Sequence, residues 1–298
     1  MFWKSKGLIF NSSEKVKHIK SHSWVPTPIK LKDGIYKIFY AGRDRFNHSN
    51  IYSFDYSFKN HRVVHFSQKP HLKKGRLGCF DDCAVIPSHV ISYKKKFYLY
   101  YIGWTQGKSV PYIAALGLAT SKSLNSSFKK FSEAPILGRT KDEPIFTASC
   151  FVRKNKNFEM WYTSNKSWKK KGNNFIPRYN IKFATSKNGV DWFTRDDAIK
   201  FKSRKETAIT RPWIINLKKK TIMFYSYRGQ SYKIGYAIKN KKKWIRKDKY
   251  LKFNNSVSKF DSNMREYGAV ISYKEKLFMF YNGNNFGENG IGLAEYIE

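Results

Sequence analysis

The chain of 298 residues is 41% hydrophobic, enough for one large domain or two ordinary ones, and its three cysteines (Cys79, Cys83, Cys150) lack the number and spacing of a disulfide framework or a zinc site. No apolar stretch approaches the roughly 20 residues of a membrane helix, and the N-terminal segment has no apolar core with a small-residue cleavage site, so a cytoplasmic protein is expected. A net charge of +37, from 58 Lys and Arg against 21 Asp and Glu, raises the question of a polyanionic partner.

The first predicted element is "WKSKGLIF" (Trp3–Phe10). Four short β-rich runs follow: "SHSWVPTPIKL", "YKIFYAGRD", "SNIYSFDYS" and "VVHFSQKPHL". The same grammar returns in "FDDCAVIPSHVI", "FYLYYIGW", "YIAALGLATS" and "FKKFSEAPIL". A third group reads "EPIFTASCFV", "FEMWYTSNKSW", "YNIKFATS" and "WFTRDDAIKF", and a fourth "ETAITRPWIINL", "IMFYSYRG", "YKIGYAIK" and "WIRKDKYLKF". The last group, "EYGAVISY", "LFMFYNGNN" and "IGLAEY", stops one run short. The aromatic second runs align on Tyr40, Tyr101, Tyr162, Tyr225 and Tyr281, spaced 61, 61, 63 and 56 residues apart. Runs of this length at hairpin spacing, with no competing helical period, are strands.

Four strands per unit and five units predict an all-β fold, a single five-bladed β-propeller. The approximate blades are 21–72, 80–137, 143–201, 206–253 and 261–298. The opening run resembles the fourth runs of the other units, so residues 3–10 are expected to complete the last blade and remove its exposed edge. The lysine runs "YKKKF", "KSWKKKGNN", "LKKKT" and "KNKKKW" fall between apolar runs, where hairpin turns belong. That position favours solvated loops over a dedicated polyanion site. No specific nucleic-acid partner is expected; peripheral membrane association through these loops stays open, as does the oligomeric state.

In a propeller the first strands line a central channel, so equivalent positions about 60 residues apart meet at one mouth. Acids stand there: Asp81 and Asp82, Asp142 and Glu143, Glu206, and Asp261 with Glu266, while the first unit has His22. A ring of carboxylates suits glycoside chemistry, where one acid protonates a leaving oxygen and another is base or nucleophile. Crowding raises at least one pKa and keeps a general acid protonated. Trp104, Trp161, Trp168, Tyr227 and Phe286 are candidate platforms for sugar faces. Arg43, Arg211 and Arg228 are candidate forks for a carboxylate or phosphate. The competing reading makes the acids turn and capping residues.

The set "SHSWVPTP", "YAGRDRFNHSNI", "GCFDDCAVIPSHV", "GLATSKS", "TSKNGVDW", "ETAITRPW", "FDSNMREYGAVI" and "FYNGNNFGENGIGLA" resembles five-bladed glycoside-hydrolase-like proteins related to families 43, 32 and 130, notably a bacterial group associated with surface-polysaccharide gene clusters. The resemblance spans nearly the whole chain. It implies a carbohydrate-active enzyme that cleaves or transfers a glycosyl group from a carbohydrate or sugar-nucleotide. The sequence itself carries no cofactor or metal signature beyond a carboxylate-rich pocket, and a hard cation there stays open. Glu143 matches the family's general acid, and Asp82, or its neighbour Asp81, matches its second acid. The first blade offers no carboxylate where the family has its base, which leaves Asp44 and His22 as further catalytic candidates. It also favours phosphorolysis or transfer over simple hydrolysis, and keeps open a non-catalytic glycan- or nucleotide-sugar-binding propeller. Asp81, Arg43, Trp104, Trp168, Glu206, Arg211, Arg228, Glu266 and Asn282 complete the expected substrate-binding set.

Overall fold

The computed structural model describes residues 1–254 and 259–297; position 298, the last of the expected fifth blade, lies outside them. β1 (Phe2–Phe10) is followed by four antiparallel meanders. The first comprises β2 (Ser21–Lys32), β3 (Ile35–Arg43), β4 (Ser49–Ser57) and β5 (Arg62–Phe66). The second comprises β6 (Ala84–Tyr93), β7 (Lys96–Gln106), β8 (Tyr112–Ser121) and the short β9 (Lys129–Lys130). The third runs through β10 (Thr147–Lys154), β11 (Phe158–Lys171), β12 (Asn174–Ser186) and β13 (Phe193–Ile199). The fourth runs through β14 (Ala208–Leu217), β15 (Lys220–Arg228), β16 (Tyr232–Asn240) and β17 (Lys243–Arg246).

The chain then places β18 (Lys252–Phe253) parallel to β1 and enters β19 (Glu266–Tyr273), β20 (Lys276–Asn282) and β21 (Ile291–Ile297). β1 pairs antiparallel with β21, so the N-terminal strand completes the last blade as its sequence predicts. Trp3 is fully buried there, edge-on to Phe224 of the neighbouring blade at 5.9 Å. The fourth runs of the first two groups are weaker than expected: they shrink to β5 and β9, and each adds one isolated bridge, Ile51 to Leu72 and Leu116 to Leu137.

Each first strand carries a register shift within its inner part, between Ser21/Trp24, Pro87/His89, Ala148/Cys150, Thr210/Trp213 and Glu266/Ala269. Bulges of this kind re-aim side chains. One is Arg211, which is fully buried. Its guanidinium donates to the Ser88 carbonyl, to the Pro26 carbonyl at 2.7 Å and to Thr27 Oγ1 at 3.0 Å. It therefore ties the fourth blade to the first and second across the channel. Burial lowers its pKa to about 9, which still leaves it charged at neutral pH. His89 beside it is pushed down to about 3 by burial and by that charge, so it is neutral.

Candidate functional site: an aromatic pocket at the channel mouth

The aligned tyrosines explain most of the acids. Tyr101 donates to Asp81 Oδ2 at 3.0 Å, Tyr162 to Glu143 Oε1 at 2.7 Å and Tyr281 to Asp261 Oδ2 at 2.8 Å. Each carboxylate lies 19 or 20 residues before its tyrosine. A cation closes each cluster: Lys130 on Asp81, Lys182 on Glu143 and Arg265 on Asp261. In the fourth blade Tyr225 binds Asp248 instead, and Glu206 is clamped by both terminal nitrogens of Arg246 at 2.8 Å.

In the second and fourth blades the residue facing the tyrosine on the third strand makes room for its cluster. Gly117 faces Tyr101, and a Cβ there would lie 2.3 Å from the Tyr101 ring. Gly235 faces Tyr225, and its Cβ would meet Asp248 Oδ1 at 2.4 Å. In the third blade the facing residue is Lys182, which supplies the cation itself. Burial and the adjacent carboxylates push the hydroxyls of Tyr101, Tyr162, Tyr225 and Tyr281 upward, so they stay protonated donors.

These clusters sit inside the blades, which corrects the expectation that the acids ring the mouth. The central pocket, about 310 Å³, opens where the first strands begin, and among the described residues no carboxylate lines it. Glu143, Asp81 and Glu206 are held as above. Asp82 Oδ2 accepts the Gly78 N–H at 3.0 Å; burial opposes ionisation, but hydrogen bonds from Thr105, Gly78 and Cys83 outweigh it and hold the pKa low. Asp44 caps its own turn by accepting the N–H groups of Phe46 and His48 at 2.8 and 3.0 Å. Asn282 is fully buried and stitches the last blade to the first, donating to the Ser23 carbonyl and accepting from the Val25 N–H, both at 2.8 Å. Trp161 packs inside the third blade against Phe183 rather than at the mouth.

Arg43, Trp104 and Arg228 do line the pocket, with Phe286. The sequence reading missed Trp24, Tyr112, Tyr179, Tyr232 and Tyr267, which lie around them. The Arg43 guanidinium stands 4.5 Å over the Trp24 ring and that of Arg228 5.1 Å over Tyr232. Trp104 packs on Tyr112 at 4.5 Å, and Trp168 meets the same tyrosine edge-on at 5.1 Å. His22 lies edge-on to Trp24 at 5.9 Å; burial, with help from Arg43, lowers its pKa to about 4, so its imidazole is neutral.

Two physical signals mark this region. Left-handed backbone occurs at His22 (φ 63°), Val25 (58°), Tyr267 (55°), Asn285 (52°) and Phe286 (60°). A β-branched or aromatic residue is strained there, and such strain concentrates at functional sites. Second, several buried polar atoms here have no protein hydrogen-bond partner: Trp24 Nε1, Arg43 Nε, Ser149 Oγ, Trp168 Nε1 and both carboxylate oxygens of Glu266. Glu266 is fully buried next to Tyr267 and Arg228; burial raises its pKa well above the usual carboxylate range, and those neighbours offset only part of this. It is therefore a neutral acid buried behind the pocket wall, beside the lining residues Tyr267 and Arg228.

No protein-family profile matches the chain. An uncharacterized protein of Mycobacterium tuberculosis, Rv1502, is 29% identical over 298 residues, covering 99% of each chain. Among solved structures, a glycoside hydrolase superposes with a TM-score of 0.76 at 16% identity, over 99% of this chain and 91% of that one. The fold is that of the glycoside-hydrolase propellers. A second such structure, described as belonging to the family-130 mannoside phosphorylases that contains hydrolases of β-1,2 mannosidic linkages, gives 0.69 at 14% identity over 94% and 86%. Family-43 and family-32 structures share the fold as well.

Proposed function

We propose that the protein is a carbohydrate-active enzyme that cleaves or transfers a glycosyl group in the central pocket, on a sugar that carries an anionic group. The observation that carries this reading is the pair of unpartnered donors, Trp24 Nε1 and Arg43 Nε, in a pocket walled by aromatic rings. Flat aromatic faces cover the apolar faces of sugar rings, and indole N–H groups bind their hydroxyls. Arg43 and Arg228 supply the forked positive charge that a phosphate or carboxylate requires. Glu266, held neutral behind the lining residues Tyr267 and Arg228, is the candidate source of a proton for a leaving oxygen. A two-carboxylate hydrolysis needs a second acid at the substrate. With Asp81 and Glu143 closed inside their blades, transfer from an activated sugar or attack by phosphate fits better than hydrolysis. The likeness in fold to glycoside hydrolases and a phosphorylase supports the general class.

The same lack of lining carboxylates favours a second reading, a propeller that binds an anionic glycan or sugar-nucleotide without turnover. One experiment separates them. Sugar phosphates, sugar-nucleotides, and oligosaccharides with inorganic phosphate are titrated by calorimetry, and each mixture is followed by NMR. A ligand whose binding is lost in Arg43→Ala and Arg228→Ala, and which is consumed by the wild type, supports the enzyme. Binding without consumption supports the second reading. Binding that survives both arginine variants rejects the pocket for either role.

A further inference from the structure

The lysine-rich turns are not scattered. Every blade is an up-and-down meander whose first strand starts at the pocket mouth. The turns joining first to second strands and third to fourth strands therefore all reach the opposite face. These turns, with their flanking residues, span 32–35, 57–62, 93–96, 121–129, 154–158, 186–193, 217–220, 240–243 and 273–276. They hold nineteen Lys and Arg side chains against three carboxylates, Asp33, Asp191 and Glu275. The segments on the mouth side hold about two cations per acid; the hairpin face holds about six.

Several of these lysines occupy positions that the backbone penalises. Lys94, Lys95, Lys218, Lys241 and Lys274 all have φ between 47° and 59°, the left-handed region where tight hairpins favour Gly, Asn or Asp. Gly34 occupies the equivalent place in the first blade with φ +69°. Lysine thus stands where turn chemistry alone would select against it. Apolar side chains lie at the same level. Phe2 and Phe193 begin outer strands at this face, Val64 and Ile245 lie two residues into theirs, Ile297 ends beside Phe2, and all five are exposed, Phe193 by 63%.

From the one-sided charge and the apolar rim we propose that the hairpin face docks on an anionic membrane surface. Lysine is a hydrated point charge suited to a diffuse negative field, and eighteen of the nineteen cations are lysine. Arginine, which forks onto phosphates and base edges, is confined to Arg62 among them. Polybasic surfaces gain attraction near anionic lipid with each added cation, and exposed aromatic and aliphatic side chains add interfacial insertion. Among the described residues no helix is long and apolar enough to cross a membrane, so the docking is peripheral. It leaves the pocket on the far side, open to soluble substrate.

Co-sedimentation with vesicles tests this directly. Vesicles of phosphatidylcholine with 30% phosphatidylglycerol are compared with pure phosphatidylcholine, at about 0.1 M salt, where the Debye length is about 10 Å. The wild type is expected to sediment with the anionic vesicles only. A hairpin-face triple, Lys241→Gln, Lys242→Gln and Lys243→Gln, removes three cations and should weaken partitioning by about tenfold or more. A mouth-side triple, Lys73→Gln, Arg204→Gln and Lys205→Gln, removes the same charge and should change it less than about twofold if docking is one-sided. Phe193→Ser with Ile245→Ser should weaken binding without changing its salt dependence. Equal losses in the two triples, or no preference for anionic lipid, overturn the proposal. So does tighter binding to a short DNA duplex than to the anionic vesicles at the same salt.

Discussion

Glu143 in the third blade and Glu266 behind the wall of the central pocket are equally hidden, 1% and 0% exposed, and meet opposite fates. Glu143 is surrounded by groups that want a negative charge: the Lys182 ammonium at 2.5 Å, the Tyr162 hydroxyl and the Ser164 hydroxyl. Glu266 has no well-formed hydrogen bond to either oxygen, and burial keeps it protonated. A buried carboxylate with a full set of partners holds strands together. A buried acid without them is a destabilising feature that folding alone does not explain, and it lies where the left-handed backbone and the other unpartnered donors gather. The interior of the blades is architecture, and the mouth is where the proposed chemistry lies, although acids at similar sequence positions point to both.

The sharpest way to break this contrast is Glu143→Gln. The amide keeps an acceptor for Tyr162 but leaves the Lys182 ammonium buried without a counter-charge. Removing one partner of a buried ion pair costs about 3–5 kcal/mol. The expected result is a large drop in the denaturation midpoint by urea, partly restored when Lys182→Met is added. A Glu143→Gln protein of native stability would return this residue to the catalytic candidates.

Glu266→Gln should behave in the opposite way, and its effect depends on pH. The folded pKa is raised above that of the unfolded chain, so the folded state holds a proton the unfolded state releases. The stabilising contribution is complete below the unfolded value, near 4.3, and is lost as pH rises toward the folded value, at about 1.4 kcal/mol per pH unit. Replacing the acid with an amide removes this loss. The variant should match the wild type near pH 4 and become relatively more stable with each unit above it, read as a pH series of urea midpoints. Identical pH profiles for the two proteins would show that Glu266 is not held neutral.

Much of the fold was legible because propeller repeats write themselves at a fixed period. Tyr40, Tyr101, Tyr162, Tyr225 and Tyr281 mark the second strands, and "WKSKGLIF" betrays the closing strand by its likeness to other fourth strands. The role of the acids was written there too, in their constant distance of 19 or 20 residues before those tyrosines, but a chemical reading of the carboxylates hid it. The pocket wall was harder to read. Trp24, Tyr112, Tyr179, Tyr232 and Tyr267 come from first and third strands of different blades, and for Trp24 and Tyr267 the face each aromatic takes depends on the bulge beside it. A bulge shifts the alternation by one residue and leaves no mark in composition. Arg211 is the same case: an arginine in a first strand reads as a ligand fork until the bulge between Thr210 and Trp213 turns it into the channel.

The smallest expected effect tests whether the blade clusters are equivalent. Tyr162→Phe removes one donor from Glu143, which keeps Lys182 and Ser164. Tyr281→Phe removes one from Asp261, which keeps Arg265, but it also cuts the 2.7 Å bond between Tyr281 and Ser5. Ser5 belongs to β1, the strand that closes the ring. A hydrogen bond to a charged group contributes about 1.5–3 kcal/mol, and a neutral one about 1 kcal/mol. With the remaining donors compensating, Tyr162→Phe should fall at the lower end, and Tyr281→Phe should exceed it by about 1 kcal/mol. The difference should also be local. Amide hydrogen exchange in β1 should quicken in Tyr281→Phe and stay unchanged in Tyr162→Phe, because only the former loosens the strand that joins the two ends of the chain. Uniform quickening in both variants would mean that the clusters stabilise the ring as a whole rather than blade by blade.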